Sequence, residues 1–102
     1  MITRMWRGWA PAGRAPEYEQ HYRTEVLTVL QGVAGFRGAR LLRRGTGDET
    51  ELVSLTFFDD LDAVRAFAGP DYETAVVAAE ARAILSRFDE QVVHYETAFE
   101  TP

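Results

Sequence analysis

Only two side chains in this sequence are imidazoles, His21 and His94, and neither lysine nor cysteine accompanies them. An imidazole is the group best suited to accept and return a proton near neutral pH. His94 is the leading candidate for a general base. It lies in Arg87-Phe88-Asp89-Glu90-Gln91-Val92-Val93-His94-Tyr95-Glu96, a stretch that reads as a strand. Strand alternation puts it on one face with Val92, Glu96 and Ala98. Apolar neighbours disfavour its protonation through desolvation, and Glu96 opposes that effect. The alternative is a core or interface histidine hydrogen-bonded to a neighbour. His21 sits between Glu17 and Glu25, each one helical turn away, the pattern of a solvated polar face with no functional role. No close His/Asp/Glu cluster joins either histidine, so no metal site is expected.

All eleven basic residues are arginines, which stay charged and do not shuttle protons. Arg4, Arg7, Arg37, Arg40, Arg43 and Arg44 make the first two strands basic, and one of them facing a pocket would steady a phenolate or enolate as it forms. The alternative for most of them is a strand-edge charge or a salt bridge. Trp6 and Trp9 suit either an aromatic pocket for a planar ligand or the core and an interface. Tyr72, just after the Gly69-Pro70 break, is placed either to hydrogen-bond a substrate oxygen or to serve as a core aromatic. Schiff bases, thiolate nucleophiles, disulfides and iron–sulfur clusters are excluded by the missing lysine and cysteine. Neither a G-x-G-x-x-G nor a Walker loop is present to cradle a nucleotide, and Ser54 and Ser86 do not lie in a G-x-S-x-G elbow.

At 102 residues, residues 1–102 form a single domain. Hydrophobic residues make up 46%, which marks a globular chain, and the net charge of -5 disfavours nucleic acid as a partner. The N-terminus lacks the apolar core of a signal peptide, and no apolar run approaches the roughly 20 residues of a membrane span, so a cytoplasmic protein is expected. Residues 2–9 read as a strand. Tyr18, Tyr22, Val26, Val29 and Leu30 recur at helical spacing over residues 16–31, with Pro16 in the first turn and Gly32 as the stop. Residues 35–44 and 51–58 read as strands joined at Gly45-Thr46-Gly47-Asp48. Asp59 or Asp60 caps a helix carrying Leu61, Val64 and Phe67. Asp71 is placed to cap a further helical stretch from Tyr72, and residues 75–88 read as one broken helix or two short ones. Residues 92–99 form the last strand.

The order is β-α-β-β-α-β, a ferredoxin-like α+β fold with an antiparallel sheet. Such a sheet with helices on one side should show a polar opposite face. Here Val53, Leu55 and Phe57 oppose Leu52 and Phe58, while Val93, Tyr95 and Phe99 oppose Val92, His94 and Ala98. Both faces are apolar, and a second copy is the simplest cover for the one without helices. A homodimer through the sheets is expected.

The element order, the length and the transition Phe58-Asp59-Asp60-Leu61-Asp62-Ala63-Val64-Arg65-Ala66-Phe67 resemble the antibiotic biosynthesis monooxygenase superfamily. The resemblance implies a dimeric α+β barrel with a pocket between sheet and helices in each subunit. It also implies a cofactor-independent monooxygenase acting with O2 on an electron-rich aromatic or polyketide-like substrate. His94 would be the base, Arg40 or Arg4 would steady the anion, and Trp6, Phe67 and Tyr72 would hold the ring, with Trp9 as a further aromatic wall. Haem-degrading members ligate iron through a histidine in the second helical region. The corresponding Asp71-Tyr72-Glu73-Thr74-Ala75-Val76-Val77 has none, and Phe67 stands where those members carry tryptophan. No cofactor is therefore expected. A non-oxidative cyclase or isomerase, and a non-catalytic protein for a small apolar ligand, remain open on the same scaffold.

Overall fold

The computed structural model describes residues 1–102. Strand β1 (Ile2–Pro11) runs through the middle of the sheet and pairs antiparallel along its length with β3 (Glu49–Phe58). Strand β2 (Phe36–Gly45) pairs antiparallel with the outer edge of β3. On the other side of β1 lie two short strands, β4 (Arg87–Phe88) and β5 (Val93–Glu96), giving the order β2-β3-β1 with β4 and β5 both beside β1. This is the ferredoxin-like α+β arrangement with its last strand split in two.

The helix after β1 has three segments: α1 (Ala15–His21), a π-helical turn (Tyr22–Val26) and α2 (Leu27–Gln31). The hydroxyl of Thr24 donates to the carbonyl of Gln20 at 3.0 Å, a side-chain bond that competes with the regular helical ladder. Helix α3 (Leu61–Ala68) starts at Asp60, whose carboxylate accepts from the Ala63 amide at 2.9 Å. Gly35, at φ +89, makes the turn into β2; a Cβ there would stand 2.8 Å from the Ala63 Cβ, so only glycine lets this turn pack on the start of α3.

Two apolar clusters hold the sheet to the helices. Leu52, Ala10, Tyr18, Tyr22, Ala81 and Leu85 form one; Leu30, Phe58, Ala63 and Val64 form the other. Phe58, Leu30, Leu52 and Val64 are fully buried, and each contributes roughly 1.5–3 kcal/mol of transfer free energy. Gly8 lets Leu85 settle on β1, since a Cβ would meet the Leu85 methyls at 3.4 Å and the Trp6 ring at 3.1 Å.

The chain departs from expectation in its last third. No helix forms from Tyr72; the only helix there is α4 (Ala79–Ile84). Residues 72 and 73 make a turn and the chain leaves the helical path at Thr74 instead, because backbone groups here find partners just before the last strand. The Ala75 amide donates to the Glu90 carbonyl at 2.8 Å, and the Val92 amide donates to the Glu73 carbonyl at 2.7 Å. Thr74 bridges Gln91. The β-branched Thr74, Val76 and Val77 favour this extended path over a helix. The expected strand over residues 92–99 is shortened to the four-residue β5, and β4 precedes it across the segment where Gln91 bridges Thr74. No helix is long and apolar enough to cross a membrane.

Candidate active site

Because strand residues alternate, the even-numbered residues of β1 face the helices. Arg4 and Trp6 stand there opposite Thr56 and Ser54 of β3. Above them the two apolar clusters part and leave a cleft of about 310 Å³. Its floor is Arg4, Trp6, Ser54 and Thr56. The first helix supplies one wall with Tyr18, His21, Tyr22, Glu25 and Val26, and the extended segment from Ala75 to Ala78 supplies the other. Phe67 lines it too. The alanines of this region open space here: Ala75, Ala78 and Ala81 all line the cleft.

Arg4 is the unusual group. It is only 9% exposed, and no carboxylate lies within 4 Å of it, whereas seven other arginines form ion pairs. Its Nη1 donates to the Tyr72 carbonyl at 2.7 Å and contacts His94 Nε2 at 3.0 Å. Its guanidinium carbon lies 5.7 Å from the centre of the Phe67 ring, a cation–π placement. Nε and Nη2 make no hydrogen bond within the protein and remain free as donors. Burial lowers its pKa to about 10, so it still carries its charge at neutral pH.

His94 is held by that arginine. A guanidinium can only donate, so Nε2 must accept, which requires the neutral ring with its proton on Nδ1. Burial first and the Arg4 charge second lower the pKa of His94, with Glu73 opposing. The ring also meets Tyr72 edge-on, with centroids 5.2 Å apart. His94 and Tyr72 thus stand behind Arg4 and do not line the cleft. Arg65 covers the Tyr72 ring, its guanidinium carbon 5.4 Å from the ring centre.

These contacts set a pH dependence. Above about pH 6.5 the His94 ring is neutral in both folded and unfolded chains. As pH falls, the unfolded chain takes the proton first, so stability is lost from there down through the lowered folded pKa. His94→Gln keeps an acceptor for Arg4 and does not titrate. The stability advantage of wild type over His94→Gln, read from urea midpoints, should therefore shrink between pH 7.5 and pH 5; an advantage independent of pH would refute the assignment.

The remaining candidates divide by face. Trp6 and Phe67 line the cleft. The Trp6 indole donates to the Asp89 carbonyl at 2.7 Å and packs near Tyr18 and Phe88. Arg40, expected as a pocket cation, is instead in register with Leu55 on the opposite face of the sheet. Trp9 also points to that face, between the guanidinium groups of Arg87 at 4.0 Å and Arg7 at 5.3 Å from its ring centre. Alternation along each strand sends both away from the cleft.

His21 corrects the reading from spacing alone. It is half-buried, its ring centroid is 6.0 Å from that of Tyr18, and it lines the cleft with Glu25. It lies roughly 100° around the helix from Tyr22, on the margin of the apolar stripe. An acidic neighbour a turn away on each side signals exposure only where nothing packs beyond it. Tyr22 was legible only as a core position, yet the residue also lines the cleft.

The chain matches the family model for antibiotic biosynthesis monooxygenases over residues 1–79. Among solved structures it is similar to the heme-degrader MhuD from Mycobacterium tuberculosis, with hemes bound in its active site, at 21% identity and a TM-score of 0.67, covering 100% of both chains. It is also similar to SnoaB, a cofactor-independent oxygenase from Streptomyces nogalater, at 19% identity and a TM-score of 0.68, covering 99% of this chain and 96% of that one. A NIPSNAP domain protein from Burkholderia xenovorans shares 22% identity at a TM-score of 0.63, covering 100% and 99%. At these identities the likeness establishes the fold. No curated protein matches the chain. The cleft wall does not fit a haem ligated from the region after α3, because Ala75, Val76, Val77 and Ala78 offer no donor to iron.

Proposed function

The chain belongs to the antibiotic biosynthesis monooxygenase family, and on that premise we propose that it is a small cofactor-independent oxygenase acting on an electron-rich aromatic or polyketide-like substrate. The carrying observation is Arg4, a buried cation without a carboxylate partner and with free donors, on the floor of a mainly apolar cleft. A buried charge left unpaired is costly, and an anionic ligand relieves that cost. An oxyanion forming beside Arg4 in a site of low polarity gains far more than it would in water.

In this reading His21 accepts the proton of a phenol or activated carbon. Arg4 holds the resulting oxyanion, with His94 and the Tyr72 carbonyl keeping its fork in place. Trp6 and Phe67 pack the ring. The carbanion passes an electron to O2, the radical pair couples to form a C–O–O bond, and His21 returns its proton to the peroxide anion to give the hydroperoxide. Loss of water from the hydroperoxide leaves a carbonyl. One oxygen atom enters the product and the other leaves as water, so the substrate supplies every electron that O2 receives.

Oxygen uptake by metal-free protein with anthrones, naphthols and hydroquinones tests this. Uptake with one labelled oxygen atom entering the product is expected, and His21→Gln should slow it about 100-fold with the fold intact. Substrate conversion without uptake would replace the oxygenase by a cyclase or isomerase on the same cleft. Uptake unchanged in His21→Gln but lost in His94→Gln would return the proton to His94.

We further propose a homodimer through the open face of the sheet. Met5, Val53, Leu55 and Phe57 are only partly buried there, and Leu42, Val93 and Tyr95 are exposed around them. An apolar sheet face of this extent is the kind of surface a second copy covers.

A further inference from the structure

Tyr22 is only 6% exposed, and its hydroxyl is the one buried side-chain polar atom in the protein that has no hydrogen-bond partner. The Ser54 and Thr56 hydroxyls lie close enough to favour its ionised form, against the larger opposing effect of burial, yet neither makes a regular hydrogen bond with it. All three residues line the cleft. Tyr22 also opens the π-helical turn, a local insertion that helices tend to retain at functional positions because it re-aims side chains. Leaving a buried donor unsatisfied costs stability, and a ligand oxygen is the partner that would remove that cost.

Thr56 stands directly opposite Arg4 across the β1–β3 ladder. Side chains so paired lie roughly 5 Å apart at Cβ. The free donors of Arg4 and the polar niche of Tyr22, Ser54 and Thr56 therefore line one cleft from neighbouring strands and the facing helix. We propose that Tyr22 is a specificity-determining residue that donates a hydrogen bond to a second, neutral oxygen of the substrate while Arg4 holds the oxyanion, so that the substrate class is an aromatic or enol carrying two oxygens. This deepens the reading of the cleft as a substrate site and rests on it.

Anaerobic binding of 1,3-dihydroxynaphthalene and 1-naphthol to wild type and Tyr22→Phe tests the proposal without any turnover. Wild type should bind the dihydroxy compound about tenfold more tightly, the worth of one added hydrogen bond in a dry site. Tyr22→Phe should erase that preference and leave 1-naphthol binding as it was. The ligand-free variant should melt at the wild-type temperature or higher, since it removes an unsatisfied hydroxyl and keeps the ring. Equal weakening of both ligands, or a lower melting temperature, would reduce Tyr22 to a packing residue and overturn the proposal. A Tyr22-dependent preference without oxygen uptake by any substrate would uphold Tyr22 and remove the oxygenase; uptake without such a preference would do the reverse.

Discussion

Replacing Arg4 with methionine is expected to lower turnover of a phenolic substrate by about 10²–10³-fold, the usual loss when a preorganised oxyanion donor is removed. Binding of the phenolate should fall with it, while a neutral aromatic of the same size should bind as before. The fold should survive. Arg4 has no carboxylate to leave stranded, and an apolar chain of similar length fills its path beneath the Phe67 ring. Trading a buried, unpaired cation for an apolar side chain is often neutral or stabilising. The lost bonds to the Tyr72 carbonyl and His94 Nε2 work in the opposite direction. The expected signature is loss of function at nearly constant melting temperature. If Arg4→Met unfolds the domain while the folded remainder turns over normally, Arg4 is a structural cation and the cleft needs another anchor. Anaerobic titration with a naphthol above and below its own pKa, beside thermal melts, separates these cases.

The second large effect concerns the proposed dimer. Leu55 faces away from the cleft, in register with Met5 on one side and Arg40 on the other. Leu55→Arg would place a second guanidinium beside Arg40 in the middle of the apolar face. Burying it there without a partner costs several kcal/mol, enough to weaken association at least 100-fold. Sedimentation at micromolar concentration should show a dimer for wild type and a monomer for Leu55→Arg, with matching circular dichroism. Since the cleft opens on the other face of the sheet, the monomer should retain Arg4-dependent ligand binding. A wild-type monomer at high concentration, or a variant that stays dimeric, would remove the open face as the interface.

The residues differ in how far their roles could be read from the chain. Element order was legible through residue 68, because turn residues and apolar periods there agree with what the elements pack against. Trp6 and Trp9 fall on opposite faces by strand alternation alone. Arg4 and Arg40 were indistinguishable as anion holders, since each is an arginine in a basic strand. Only the registers, Arg4 against Thr56 and Arg40 against Leu55, put one in the cleft and the other on the far side. The region after Gly69 misled because alanine and glutamate favour helices locally. Pairing of residues 73–75 with residues 90–92 overrode that preference, and pairing between segments that far apart in sequence is invisible to a local pattern.

Composition and periodicity alone set the chemical alphabet: two imidazoles, permanent cations only, no thiols, and a sheet apolar on both faces. They also determined the fold, because hydrophobic periodicity and turn chemistry are local properties of the chain. Which groups meet was settled by the folded chain. It placed His94 behind Arg4, brought His21 to the cleft and left the Tyr22 hydroxyl without a partner. Those outcomes depend on burial and on distances between residues as much as 90 positions apart, quantities that exist only once the chain has closed on itself.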